Sequence, residues 1–147
     1  MAEVGGPTFS RVHHVAYIVR DIEASLGFYR DTLGLPVGLV LPIESDEVIV
    51  AFLEIGETKI ELVQPTSDTT GVARFLEKKG EGFHHLAFDV EDIDAAGAYW
   101  AEKGYPIVQS GGWGEKGKPG SGRFAYADTM SIGGITVELL WNHPGAD

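Results

Sequence analysis

The chain contains the same segment twice. The first copy, VHHVAYIVRDIEASLGFY, runs from Val12 to Tyr29, and the second copy, FHHLAFDVEDIDAAGAYW, runs from Phe83 to Trp100. The copies align at a shift of 71 residues, which places His85 on His14. Because two copies of this length are too few for a solenoid, the repeat predicts one domain made by duplication of a half-domain.

Each copy has the pattern of a strand that leads into an amphipathic helix. Residues Val12–Val19 are β-prone and alternate in side, and Asp21 then stands where a helix N-cap is expected. Apolar residues follow at helical spacing until Gly34 ends the helix. Asp92 and Gly104 occupy the equivalent positions in the second copy. Both halves therefore begin with a strand and a helix.

Three further strands are predicted after each helix. In the first half they are Pro36–Leu41, Val48–Leu53 and Lys59–Val63, and in the second half Pro106–Gln109, Arg123–Ala127 and Ile135–Trp141. The glycine-rich segment 110–122 is expected to be the longest loop. The sequence thus predicts an α+β fold of two tandem βαβββ modules, at about 12–65 and 82–142. A linker helix is expected at about 66–81.

Composition narrows the function classes. A length of 147 residues suits a single domain, residues 1–147, and the absence of cysteine excludes disulfides and thiolate metal ligands. A formal net charge of −11 disfavours nucleic acid as a partner. No basic leader and no long apolar run is present, so a soluble, cytoplasmic protein without membrane contact is expected.

Histidines and glutamates recur at duplicated positions. His14 matches His85, and the overlay of IGETKIEL on IGGITVEL places Glu61 on Glu138. If two copies are related by a pseudo-twofold axis, these side chains converge on one point. Two imidazoles and two carboxylates suit a divalent ion such as Co, Ni, Mn, Zn or Fe(II), which the donor set does not distinguish.

Each of these residues also has a purely structural interpretation. A lone histidine in a strand is usually structural, and a glutamate in an apolar strand often faces water. His13 and His84 precede the two candidate histidines, and adjacent strand residues point to opposite faces, so one histidine of each doublet can serve a given site.

The HVAYIV, HHLAFDV and VELL segments resemble those of the vicinal oxygen chelate superfamily, which includes glyoxalases, bleomycin resistance proteins and dioxygenases. The resemblance covers the chain from about Val12 to Trp141. It implies a curved mixed sheet that encloses a metal-binding cup, with His14, Glu61, His85 and Glu138 as metal ligands. It also implies a homodimer.

One segment is more discriminating within the superfamily. TKIELVQP followed by GVARFLEKKGEGFHHLAFDV is similar to the methylmalonyl-CoA epimerase branch. This resemblance implies a metal-dependent isomerase that acts on the proton next to the carbonyl of a small molecule, a CoA thioester among the candidates. Glu138 is then both a ligand and a base. The second base of that branch aligns near Val50, where this chain has no carboxylate. Glu47 and Glu54 are the neighbouring carboxylates, and Glu47 is the substitute that we predict.

Two alternatives remain at this level. Glyoxalase I enzymes carry glutamate at the position of Glu61, whereas epimerases often carry glutamine. The resemblance is therefore also compatible with a glyoxalase I-like enzyme, a lactoylglutathione lyase. A non-catalytic ligand-binding or resistance protein on the same scaffold is the second alternative. It is less favoured because all four ligand positions hold residues that can bind a metal.

Overall fold

A computed structural model of the chain describes residues 8–132, 134 and 136–144. Its strands are β1 (Phe9–Ile18), β2 (Val37–Ile43), β3 (Val48–Ile55), β4 (Thr58–Pro65), β5 (Gly82–Val90), β6 (Ile107–Trp113), β7 (Gly122–Ala127) and β8 (Thr136–Asn142). Its α-helices are α1 (Ile22–Leu26), α2 (Gly71–Lys79) and α3 (Ile93–Glu102). The predicted α+β class and the repeated βαβββ order are confirmed.

The chain divides into two compact units. The first unit is His14–His85, and the second combines the described parts of Met1–His13 and Leu86–Asp147. The division falls within β1 and within β5, so each of these strands contributes to both units. Helix α2, which lies in the predicted linker, belongs to the first unit.

In the first unit the strand order is β2-β3-β4-β1, with β1 parallel to β4 and the other pairs antiparallel. One face of these strands packs against α1 through a cluster that includes Leu26, Leu53 and Leu62, all almost fully buried. The opposite face packs against α2 through a cluster that includes Ile18 and Val50. A helix therefore covers part of each face.

Both predicted helix caps are present. Asp21 accepts hydrogen bonds from the backbone amides of Glu23 and Ala24, and Asp92 accepts one from Ala95 at 3.0 Å. Helix α1 continues as a π-helical turn, Gly27–Thr32, in place of the regular helix that we predict up to residue 33. Gly34 follows with a φ of 75°, in the left-handed region where glycine is favoured.

In the second unit the order is β8-β7-β6, all antiparallel, and α3 packs on a cluster that includes Ala125 and Leu139. The prediction of a loop over 110–122 is partly wrong, because β6 continues to Trp113 and β7 begins at Gly122. The Trp113 ring lies where a side chain at position 122 would stand. Glycine at that position leaves room for the aromatic ring, so the two ends of the segment pair as a hairpin.

Other boundaries differ by a few residues from those predicted. β1 begins at Phe9 and so includes residues that the sequence pattern left outside the strand. The first residue of the last predicted strand, Ile135, lies outside the described residues. Within the part of the chain that is described, no helix is both long enough and apolar enough to cross a membrane.

Candidate metal centre

The first unit has a face on which the predicted ligands of that unit project. Ile60 and Leu62 of β4 pack beneath α1, so the alternating residues Lys59, Glu61 and Val63 project from the opposite side. By the same alternation this side carries His14, Ala16 and Ile18 of β1 and Val50, Phe52 and Glu54 of β3. We call it the site face.

Three predicted ligands meet on the site face. The Nε2 atoms of His14 and His85 are 3.0 Å apart, and Oε1 of Glu61 lies 3.7 Å from the first and 3.5 Å from the second. Both histidines are 4% exposed, and the side chain of Glu61 is 12% exposed. The structure therefore brings together two imidazole nitrogens and a carboxylate oxygen that lie far apart in sequence.

These distances fit a divalent metal ion. Bonds of ~2.1 Å to one ion place neighbouring ligand atoms ~3.0–3.4 Å apart, depending on the coordination geometry. The three observed separations of 3.0, 3.5 and 3.7 Å are at or just above that range. Two imidazoles with one carboxylate are also the donor types that such ions prefer. The residues therefore fit the cofactor that the sequence predicts.

Neighbouring aromatic rings hold the two histidines. The ring of Phe52 meets His14 edge-on, with ring centroids 5.9 Å apart. Nδ1 of His85 lies 2.8 Å from Nδ1 of His84, whose ring in turn meets Phe75 of α2 edge-on. Because a hydrogen bond at one ring nitrogen fixes the orientation of the imidazole, the contact with His84 directs Nε2 of His85 toward Glu61. The sequence pattern did not indicate this role for His84.

The fourth predicted ligand, Glu138, lies in β8 of the second unit. It is 5% exposed, and its neighbour Leu139 packs in the cluster beneath α3. Glu138 therefore projects from the strand face that points away from α3, as Glu61 projects from the face that points away from α1. His14, His85 and Glu138 are all buried, and each offers one atom suited to metal ligation. A solvated position for Glu138, the structural alternative, does not agree with this burial.

The predicted second base lies at the end of a strand. Glu47 is exposed, has a φ of 54° and immediately precedes β3. Glu47 lies five positions before Phe52, which is about 16 Å along an extended chain, and Phe52 pairs in register with Glu61. Val50, where the resemblance implies a base, is 2% exposed and packs with α2. The structure thus does not bring Glu47 to the three-residue cluster.

Gln64 lies three residues after Glu61 but contacts helix α1. Its Oε1 accepts a hydrogen bond of 3.0 Å from the backbone amide of Ile22, the first residue of α1. This bond satisfies an amide that the helix itself leaves unpaired. Gln64 therefore fixes the start of α1 and is not a ligand.

Comparisons with known proteins agree with this fold. Residues 13–126 match the Glyoxalase/Bleomycin resistance protein/Dioxygenase superfamily. The chain belongs to this superfamily. The fold is similar to that of methylmalonyl-CoA epimerase from Mycobacterium tuberculosis, with a TM-score of 0.81 at 23% identity, over 97% of this chain and 94% of that one.

The most informative relatives are epimerases. The chain is 41% identical to the ethylmalonyl-CoA/methylmalonyl-CoA epimerase of Cereibacter sphaeroides, over 88% of this chain and 96% of that protein. It is 35% identical to the mitochondrial methylmalonyl-CoA epimerase of Bos taurus, over 91% of this chain and 77% of the bovine protein. A variant of the Streptomyces coelicolor methylmalonyl-CoA epimerase, solved with 2-nitronate-propionyl-CoA, has a TM-score of 0.80 at 28% identity, over 92% of this chain and 99% of that one. The predicted superfamily and the predicted enzyme class, an isomerase, are confirmed.

Proposed function

We propose that this chain is a metal-dependent epimerase that removes and returns the proton next to the thioester carbonyl of a carboxyacyl-CoA such as methylmalonyl-CoA. The observation that carries the proposal is the cluster of His14, His85 and Glu61, whose ligand atoms lie within 3.7 Å of one another. The epimerases among its relatives supply the reaction class. A CoA-ester analogue is bound in a solved relative of the same fold.

The metal ligands in this proposal are His14, Glu61, His85 and Glu138. The first three are the cluster on the site face, and Glu138 is included because duplication places it at the position of Glu61. The chemistry that a divalent ion supplies in such a site is stabilisation of the negative oxygen that forms when the neighbouring carbon loses its proton. The ligand types admit Co, Ni, Mn, Zn or Fe.

Glu138 is the base in this proposal. Its carboxylate is buried, as expected of a base in a site from which bulk water is excluded. Epimerisation also needs a group that returns the proton on the other side of the carbon, and Glu47 remains our prediction for that group. Its exposed place at the start of β3 means that a movement of the 44–47 segment would have to bring it closer.

The test of the proposal combines metal content with proton exchange. Wild-type protein is expected to hold about one divalent ion per chain and to wash deuterium from solvent into the α-carbon of methylmalonyl-CoA. His85→Ala removes a ligand and is expected to lose most of the metal and the exchange together. Elemental analysis and mass spectrometry measure the two effects. His143→Ala, a change at a partly exposed histidine that contacts Trp141, is the matched control. Full metal occupancy in His85→Ala would refute the metal site.

A second candidate is a glyoxalase I-like lyase, and Glu61 is the observation that favours it. A carboxylate rather than an amide stands at this ligand position and contacts both histidines. Turnover of the hemithioacetal of methylglyoxal and glutathione, with no deuterium wash-in to methylmalonyl-CoA, would select the lyase. Inactivity in both assays with metal bound would favour a ligand-binding protein.

A homodimer and a cytoplasmic location remain predictions. Sedimentation at micromolar concentration tests the first, since a dimer doubles the mass of 15.8 kDa. Fractionation of cells that express the untagged chain tests the second.

A further inference from the structure

A lysine and a glutamate lie beside the metal centre on the site face. Lys59 pairs in register with His14 across the parallel β1–β4 ladder, and Glu54 pairs in register with Lys59 across the β3–β4 ladder. Adjacent strands are about 4.8 Å apart, so the three side chains form one row. The next row contains Glu61 and Phe52, both of which contact His14. The pair therefore adjoins the cluster directly.

Lys59 and Glu54 form an ion pair that is partly exposed to solvent. Lys59 Nζ lies 3.1 Å from Oε2 of Glu54, and the two side chains are 30% and 39% exposed. At the opposite end of the site face, Ile18, Val50 and Val63 pack against α2 and are buried. In the first unit the site face is thus apolar and closed at one end, while the end with Lys59 and Glu54 is polar and reachable from solvent.

A glycine in β2, the strand beside Glu54, leaves room for the Glu54 carboxylate. Gly38 lies in β2 at a register shift between β2 and β3, and a side chain at that position would collide with Oε1 of Glu54. Glycine therefore leaves the space in which the carboxylate sits beside Lys59. Without that space, the carboxylate of Glu54 would have to shift.

The charges around the pair distinguish it from an ordinary surface ion pair. Lys59 is the only lysine or arginine in the described strands of the first unit, and the chain carries a net charge of −11. Carboxylates such as Glu61 repel an anionic substrate, and a neighbouring ammonium group offsets that repulsion. A half-exposed ion pair contributes little to stability, so the lysine can exchange its partner at small cost.

We propose that Lys59 binds an anionic oxygen group of the substrate beside the metal centre, and that Glu54 holds the ammonium in position until the substrate replaces it. This inference rests on the proposed function, because it takes the acyl-CoA as the substrate. A carboxylate on the acyl group and a phosphate of the CoA share the chemistry that Lys59 recognises. The two sources are separated by the ligands used in the test.

The test measures the affinity of metal-loaded protein for methylmalonate and for adenosine 3′,5′-bisphosphate by calorimetry. Lys59→Met is expected to weaken binding of one of these anions by about tenfold, since it removes a charge-assisted hydrogen bond. Glu54→Gln is expected to strengthen binding of the same anion by about twofold to threefold, because it removes the competing carboxylate. Gly38→Ala displaces the carboxylate without removing a charge and is expected to act in the same direction as Glu54→Gln.

Kinetics give a second readout. Lys59→Met is expected to raise KM for methylmalonyl-CoA and to leave kcat within about threefold, because the lost contact is made by bound substrate as well as by the transition state. Arg30→Met is the matched control, since it breaks an exposed ion pair with Asp31 and leaves the site face unchanged. The control is expected to match wild type in both measurements.

Lys59→Met is expected to weaken anion binding and Glu54→Gln to strengthen it. These opposite effects distinguish a role of Lys59 in binding from a structural role. If Lys59→Met leaves both affinities and KM unchanged, or if Lys59→Met and Glu54→Gln weaken binding equally, the inference is wrong. Metal content of each variant keeps this outcome separate from the proposed function. Retained metal and retained epimerisation with no effect of Lys59→Met would overturn the role of Lys59 alone.

Discussion

Glu61 and Glu138 show what a single residue contributes to this chain. Each is a carboxylate in an apolar strand, where a charge without compensation is costly. Glu61 contacts the Nε2 atoms of both candidate ligand histidines, and Glu138 is 5% exposed. Each projects from the strand face opposite the one that packs against its helix, because its apolar neighbours lie in the clusters beneath α1 and α3. The low exposure of the two carboxylates could not be predicted from their strands, because it depends on chain segments that are distant in sequence.

The prediction at the residue scale concerns Glu61→Gln, which keeps the size of the side chain and removes its charge. Because glutamine is a neutral and weaker ligand, the substitution is expected to lower the affinity for a divalent metal by about tenfold or more and to leave the fold intact. Competition with a fluorescent chelator measures the affinity, and circular dichroism checks the fold. Affinity equal to that of wild type would show that the charge of Glu61 does not contribute to metal binding.

At the scale of elements, helix ends and hairpins behave as their local sequences predict, with two exceptions. Asp21 and Asp92 cap their helices as expected, because capping depends on residues two or three positions away. The π-helical turn after α1 and the extension of β6 through Gly111 and Gly112 were not predicted. Tertiary packing accounts for the second: glycine is a poor strand former by itself, yet Gly111 leaves room for the ring of Phe124 on the facing strand.

The element-scale prediction concerns Arg123, which donates two hydrogen bonds to Asp94 in the first turn of α3. These hydrogen bonds lower the pKa of the Asp94 carboxyl below its usual value of 3.8. A carboxyl with a lowered folded-state pKa stabilises the fold above its unfolded pKa and loses that contribution as the pH falls through the folded value. Arg123→Met is therefore expected to cost less than about 1 kcal/mol at pH 7, given the exposure of the pair.

Urea denaturation at pH 7 and at pH 2.5 tests this expectation. The difference in unfolding free energy between wild type and Arg123→Met is expected to shrink at the lower pH and also in high salt. Arg30→Met removes the equivalent charge at another exposed pair and serves as the comparison. A difference that grows as the pH falls would contradict the assigned role of the pair.

At the scale of the whole molecule, net charge influences the rate at which the substrate encounters the protein. The chain carries 22 acidic and 11 basic residues, so it repels an anion such as an acyl-CoA at long range. Salt weakens long-range repulsion between exposed charges over a Debye length of about 10 Å at 0.1 M ionic strength. Local attraction by Lys59 acts at shorter range and is screened less.

We accordingly expect kcat/KM for methylmalonyl-CoA to rise by about twofold or more as ionic strength increases from roughly 10 to 150 mM. Stopped-flow or initial-rate measurements at constant pH check this expectation. The control is kcat/KM for a small, uncharged ester. It is expected to stay constant over the same range of ionic strength, because the encounter rate of a neutral molecule does not depend on protein charge. A fall in kcat/KM over that range would show that local attraction, not net charge, governs the encounter.

The sequence by itself determined the duplicated βαβββ plan, the helix caps and the pairing of His14 with His85, because all of these depend on local periodicity or on direct self-comparison. Only the tertiary structure decided that Glu61 contacts both histidines, that Glu47 lies about 16 Å along an extended chain from the residue opposite Glu61, and that Lys59 and Glu54 extend the row beside His14. The physical reason is register. Strand pairing places residues side by side that the chain separates by tens of positions, and no local pattern specifies which residue faces which.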